Sequence, residues 1–368
     1  MKKSISSIEL AAITKELQQL VDGKISKLWV LPDKELLFQF HLPNKGRVYF
    51  KLTPDFCYLT DYKSDTPEKP HGFCMFLRKY LNNARIRSVR QVDFERILEI
   101  VFEKKEGKYH FFAEIFSPGN YILTDDTNKI MSAMETQKWK DREVMKGNQY
   151  IYPQMKYNFM ELKEPELKKL LAETDKESVV KTLAIELGLG GIYATELMLR
   201  AGIDKEKNKL DENETKKLFR EIKKLRMLKL NPQIIEQKDI VPFDLKFYEE
   251  KSKEKAETYN KALDKILTQS TLSEKSEEIH KEATKYISKE ERIAEAQEKH
   301  IIKLKQIAEE NQKKAEAIYH NYQLIDEVLK ELNKARKTHS FKEIKEKLKG
   351  HKMIKEVKEK ENEVVIEI

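Results

Sequence analysis

Between Lys69 and Val92 the chain carries Lys69, Arg78, Lys79, Arg85, Arg87 and Arg90 with no acid among them, whereas elsewhere the two signs mix almost residue by residue. A local patch of one sign on an ordered element attracts an anionic partner, and polyphosphate is the commonest one. The spacing in HGFCMFLRKYLNNA predicts a helix with Phe73, Phe76, Leu77, Tyr80, Leu81 and Ala84 on one face and Arg78, Lys79, Asn82 and Asn83 opposite. Arg78, Lys79, Arg85, Arg87 and Arg90 are therefore the expected contacts to a nucleic-acid backbone, forming a basic helix face. A second anion site is expected in LAIELGLGGIYATELMLRAGID, residues 183–204, where Gly188, Gly190 and Gly191 separate two amphipathic helices in a helix–hairpin–helix layout. Such a turn presents backbone N–H groups and a helix N-terminus, which hold a phosphate whatever the base sequence. The same glycines also suit a plain tight corner between helices.

Other chemistries find no support. The chain has no P-loop, dinucleotide fingerprint, HExxH or nucleophile elbow. Its eight histidines are scattered, and His280, His300, His320, His339 and His351 fall on or near charged helices, as solvated positions rather than metal ligands. Trp29 and Trp139 read as core or edge packing rather than a base-stacking platform. No catalytic residue, metal or cofactor is expected. Two cysteines, Cys57 and Cys74, are too few for a disulfide scaffold or a four-thiolate zinc site and point to a reducing compartment. A net charge of +8 and a pI near 9.0 favour nucleic acid over acidic small molecules. The N-terminus lacks the apolar run of a signal peptide and no stretch approaches a membrane span, so a cytoplasmic protein with no membrane partner is expected.

The elements that must carry these residues form an α+β N-terminal domain, residues 1–157. Ile5, Ile8, Leu10, Leu17 and Leu20 mark its first helix. Strands are expected at Ile25–Val30, Glu35–Phe40, Gly46–Leu52, Cys57–Thr60, Arg96–Glu103, His110–Phe116 and Tyr121–Thr124, in a mostly antiparallel sheet. Residues 158–247 read as short helices around the glycine turn. Residues 248–338 read as a coiled coil, because Gln297, Ile301, Leu304, Ala308, Asn311, Ala315, Ile318, Tyr322, Ile325, Leu329 and Leu332 recur in steps of four and three. Asn311, beside Glu309 and Glu310, is read as the tip of an antiparallel hairpin. In residues 339–368, Ser340 and Glu343 open a short capped helix to Leu348, and Val364–Ile366 begin a strand that stops midway at Ile368, as in a fragment of a longer protein.

Taken in order, ISSIEL, GKISKLW, GFCMFLRKYL, QVDFERIL, AEIFSPGNYILTD, GNQYIYP and ELGLGG…ELMLRAGID resemble the NFACT family of ribosome-associated quality-control factors over essentially the whole chain. The resemblance implies binding to large ribosomal subunits obstructed by peptidyl-tRNA. It also implies recruitment of a tRNA, alanine tRNA in archaea and bacteria, for tailing of the stalled chain without mRNA. The peptidyl-transferase centre supplies that chemistry, so the protein would position tRNA rather than catalyse. A ubiquitin ligase or other quality-control factor is the implied partner of the coiled coil. The family's tRNA-recognition positions correspond to Glu9, Glu95 and Arg96, with Glu in place of Asp at both acidic positions. The two N-terminal domains also resemble the fold of formamidopyrimidine-type DNA glycosylases, which makes a DNA-binding or DNA-processing protein the alternative. That alternative is weak on chemistry, since Lys2 stands where the glycosylase nucleophile would be and the cysteines of a zinc finger are missing. Some bacterial relatives are described as fibronectin-binding adhesins, a surface role that the missing export signal counts against.

Overall fold

The computed structural model describes residues 2–367 apart from 44, 117, 140–141, 154, 349–353 and 359–362, so His351 and Ile368 lie outside the described residues. The chain forms two compact units, Met1–Ser273 and Glu274–Ile368.

The first unit begins with α1 (Ser7–Leu17), which packs on β1 (Lys24–Val30), β2 (Leu36–Leu42), β3 (Gly46–Leu52) and β4 (Cys57–Thr60). Helix α2 (Gly72–Leu81) precedes β5 (Arg85–Gln91), β6 (Ile97–Lys104), β7 (Gly107–Glu114), β8 (Asn120–Asp125) and β9 (Ile130–Ala133). The strands form one antiparallel sheet in the order β4-β3-β2-β1-β5-β6-β7-β8-β9. Its two halves meet weakly, since the β1–β5 ladder is the single pair Lys24–Arg85. There the sheet folds over on itself, and Phe38 of β2 meets Phe111 of β7 edge-on at 5.4 Å between ring centroids. Leu10, Ile13 and Leu17 of α1 and Phe73, Leu77 and Leu81 of α2 complete this core. A short hairpin of β10 (Gln137–Lys138) and β11 (Glu143–Val144) follows.

Strand β5 lies where the sequence suggests a continued basic helix face. Its ladder with β6 slips between Ile86 and Ser88, a β-bulge, so the buried residues Ile86 and Val89 stand three apart and imitate a helical spacing. Arg85, Arg87 and Arg90 are therefore strand residues, and only Arg78 and Lys79 belong to α2.

Helices α3 (Glu164–Glu173), α4 (Val179–Glu186), α5 (Gly190–Ala201) and α6 (Glu212–Arg226) enclose a second core. Phe94, from the β5–β6 turn, inserts into that core and stacks on Phe159 at 5.1 Å. A small sheet of β12 (Gln233–Ile235), β13 (Asp239–Val241) and β14 (Lys253–Lys255), not expected from the sequence, ties back to the N-terminus through the Lys2 N–H to Lys238 carbonyl bond of 2.7 Å.

The next helix, α7 (Tyr259–His320), is 62 residues long. Its root belongs to the first core, with Tyr259, Ala262, Leu263 and Ile266 buried. The Glu16 carboxylate accepts the Tyr259 and Asn260 N–H groups at 2.8 and 2.7 Å. Asn260 also pairs with both backbone groups of Leu59, at 2.6 and 2.9 Å, as an added strand would on the free edge of β4. Helix α7 passes through Asn311 without a break, so the expected hairpin tip is not there. The helix ends at His320, and Asn321 stands at the N-cap position of α8 (Tyr322–Arg336). Residues 291–316 are exposed throughout, and no described helix covers the Ile301–Ile318 seam. The last helix, α9 (Phe341–Lys347), opens with the expected Ser340–Glu343 capping box. The terminal strand, β16 (Glu363–Ile366), is not left unpaired but forms a hairpin with β15 (Ile354–Lys358).

Candidate nucleic-acid interface

The α1 N-terminus, the β5–β6 turn and the α4–α5 turn meet around a cavity of about 760 Å³. Glu9, Glu95, Arg96, Gly188, Gly190 and Gly191 all line it. Sequence positions nearly two hundred residues apart thus line one cavity.

Glu9 closes the first turn of α1. One carboxylate oxygen accepts the Ser6 N–H at 2.8 Å, the reciprocal half of a capping box. The other accepts Lys2 Nζ and the Tyr193 hydroxyl, both at 2.7 Å. Lys2 Nζ also reaches Asp239 at 2.9 Å, and the Tyr248 hydroxyl donates to the same aspartate. Burial alone would pull the Lys2 pKa down, but Glu9 and Asp239 more than reverse it and hold the ammonium charged. Burial pushes Asp239 up, and Lys2 and Tyr248 outweigh it, so its carboxyl lies below its usual value. Glu9 is thus a buried hub that joins α1 to α5 and, through Lys2, to β13. Lys2 serves as the shared cation of two carboxylates, Glu9 and Asp239. The sequence flags Glu9 through resemblance; nothing in it reveals Asp239, Tyr193 or Tyr248 as partners.

Glu95 and Arg96 owe their position to the turn before them. Asp93 and Phe94 take positive φ values of 43° and 62°, and the Glu95 N–H bonds the Val92 carbonyl at 2.7 Å. This region is strained for an aromatic residue, and insertion against Phe159 holds Phe94 there. Gln91 Nε2 bonds the Ser7 carbonyl at 2.9 Å and the Glu95 carbonyl at 2.8 Å, fastening the turn to α1. Burial raises the Glu95 carboxyl above its ordinary value, although the Arg96 N–H and guanidinium act against it. Among the described residues the Arg96 guanidinium makes no ion pair within 4 Å and no side-chain hydrogen bond; its N–H and its charge act on Glu95, and its backbone carbonyl accepts from Ile115.

The glycine turn supplies the opposite wall. Gly188 has φ 62°, and a Cβ there would collide with Met155 Cε and lie 3.1 Å from Ser7 Oγ, so the turn approaches α1 closely. Gly190 has φ 75°, whereas a Cβ at Gly191 would enter open space. Leu189, the residue before α5, offers no side-chain cap, so the first N–H groups of α5 have no side-chain acceptor.

The basic patch does not join this cavity and does not stand as one bare face. Arg78 turns inward, its Nε and Nη2 donating to the Leu28 carbonyl at 3.0 and 2.8 Å. Arg85 and Arg87 reach Asp22 at 3.7 and 3.3 Å, Arg87 also binds Glu103, and Arg90 binds the buried Glu99. Among the described residues Lys79 keeps a ring contact and no ion pair, its ammonium 5.4 Å from the Tyr80 centroid. Charge counted along the sequence misses Glu99 and Glu103, which strand pairing brings in from outside the window, and Asp22, which the turn before β1 sets beside β5.

Among the described residues no helix is long and apolar enough to cross a membrane, and no group of His, Cys, Asp and Glu is placed to hold a metal. The chain is 31% identical over its whole length to the archaeal Rqc2 homolog aRqcH of Methanocaldococcus jannaschii, and it spans 58% of that protein. It is 33% identical over 135 residues to the ribosome quality control complex subunit 2 of Saccharomyces cerevisiae, covering 36% of this chain and 13% of the yeast protein. The N-terminal part of a fibronectin/fibrinogen-binding protein from Streptococcus suis shares the fold, with a TM-score of 0.59 over 72% of this chain and all of that one, at 23% identity. The family model for the NFACT N-terminal and middle domains matches residues 6–363, and the chain belongs to that family.

Proposed function

We propose that the chain acts in ribosome-associated quality control, binding obstructed large subunits that carry peptidyl-tRNA and recruiting alanine tRNA for C-terminal tailing of the stalled nascent chain. Its relatives named as an archaeal Rqc2 homolog and a ribosome quality control complex subunit support this reading. The observation that carries it is Arg96, a guanidinium without an ion-pair partner among the described residues, in a cavity that also presents the uncapped first turn of α5. A tRNA phosphate there would meet a planar cation and backbone N–H donors, both suited to it. Glu95 beside them accepts hydrogen bonds from a base or ribose. Glu9, its oxygens already engaged, keeps the two helix ends at a fixed separation. Such a site lowers the barrier by bringing tRNA to the ribosome in one orientation, while the peptidyl-transferase centre forms the bond. The exposed seam of α7 is the surface for a ribosomal or ubiquitin-ligase partner.

The test is to capture the tagged chain from a native lysate at moderate salt and sequence the RNA that accompanies it. Enrichment of alanine tRNA with large-subunit rRNA, lost on Arg96→Ala, is the expected result. Unselective RNA, or DNA instead, would overturn it.

A further inference from the structure

A second concave site shares no lining residue with the cavity. It is a groove of about 400 Å³ between β1 and the C-terminal end of α2. It exists because β1 and β5 part after one pair, and α2 fills the split in place of a strand. Cys74 Sγ, at 3.6 Å, and the Arg78 guanidinium serve the Leu28 carbonyl that a neighbouring strand would have bonded. A helix laid beside a pleated edge does not fill it evenly, and the space left over holds the half-buried side chain of Trp29. The ring is presented outward, since the exposed Lys63 ammonium stands 5.6 Å from its centroid. Among the described residues no acid lines the groove. Lys27 and Asn82, both exposed, are on its wall, Lys63 stands against the Trp29 ring, and the exposed Lys79 follows the lining residue Arg78 on α2. None of these three lysines has an ion-pair partner among the described residues, unlike the arginines of β5. The Asn82 amide is likewise without a side-chain bond.

We propose that this groove is a second nucleotide subsite, seating one unpaired RNA base against Trp29 with the adjoining phosphates against Lys27, Lys63 and Lys79. An aromatic face suits any base, the lysines complement the backbone, and the Asn82 amide can both donate to and accept from a base edge. The proposal rests on the RNA-binding reading above, but it places a contact where no residue of the cavity takes part.

The two tryptophans make it measurable, since Trp139→Phe leaves Trp29 as the sole tryptophan emitter. The full chain carrying that change is titrated with single-stranded hexauridylate while Trp29 emission and RNA affinity are followed. Saturable quenching is expected, and Trp29→Ala should lower affinity about ten-fold without changing the salt slope, because it removes stacking and not charge. The Lys27→Glu/Lys63→Glu variant should weaken binding and flatten the slope, and it carries the test if Trp29→Ala does not fold. Binding with unchanged Trp29 emission would overturn the proposal, as would equal quenching by hexaglutamate, which has charge but no base. Loss of tRNA capture on Arg96→Ala with a silent Trp29 would leave the quality-control reading standing and this one fallen. Quenching by RNA in a chain that captures neither tRNA nor rRNA from lysate would do the opposite, sparing the subsite and removing the quality-control role.

Discussion

Arg96 and Arg78 are the same residue type in the same basic half of the N-terminal domain, and their surroundings give them opposite duties. Arg96 makes no side-chain hydrogen bond among the described residues and gives up mainly its attraction to Glu95, so Arg96→Ala should shift the unfolding midpoint little and reduce the slope of log affinity for tRNA against log salt by about one. Arg78 donates twice to a strand carbonyl, so Arg78→Glu should cost about 1–3 kcal/mol of stability, measured by urea unfolding, before any effect on RNA appears. Lys79→Glu, on the exposed side of α2, should do the reverse and spare stability while weakening binding. The glycines divide in the same way. Gly188→Ala must accept φ 62° and displace Met155, whereas Gly191→Ala meets nothing; only the first should lower the unfolding midpoint. Residue type and charge were legible in the sequence. Which cation was already neutralised was not, because the neutralising acids are set by strand register.

At the scale of elements, strands with a regular alternation and a clear turn were legible: β3 and β4 run as the sequence suggests, Gly46–Leu52 and Cys57–Thr60. β5 was not, because its bulge converts a period of two into an apparent period of three. The strands β12, β13 and β14 have three residues each, too few to establish any period. Helix α7 contains no Gly or Pro from Tyr259 to His320, so one polar residue in its seam had nothing with which to break it. Its root yields a prediction. Asn260→Ala leaves the N–H and C=O of Leu59 without partners and should cost about 1–3 kcal/mol. Glu16→Ala removes the carboxylate that caps the first turn and should cost about 1 kcal/mol. In both variants amide exchange should quicken at residues 262–266, while the β6–β7 ladder stays protected. Uniform loss of protection would mean that the root is no separate unit.

For the molecule as a whole, the buried charges fix how it responds to pH and to damage at its N-terminus. Lys2→Ala strands Glu9 and Asp239 without their shared cation and should cost about 3–5 kcal/mol, lowering the midpoint of the sheet and of α3–α6 together. Burial raises the carboxyls of Glu16, Glu95 and Glu114 above their unfolded value of 4.5, so the folded chain holds those protons more tightly. Their contribution to stability grows as pH falls through the raised values and is complete below 4.5. Glu99 and Asp239 are held low by their cationic and hydrogen-bonding partners, and their contribution is lost only as pH falls through values below 4.5 and 3.8. The chain should therefore unfold no more readily at pH 5 than at pH 7, and Glu114→Gln should remove part of any gain on acidification. Thermal melts across that range check both statements. Helix α1 sets one more constraint. Glu9 and Glu16 stand seven residues apart, about two full turns, so both carboxylates leave the helix on the same side about 10 Å from each other. One serves the cavity and the other the start of α7. A single inserted or deleted residue between them would swing one carboxylate by about 100° relative to the other, and no side-chain substitution could bring it back. The helix is a ruler with a fixed phase, so the number of residues between Glu9 and Glu16 matters as much as their identity.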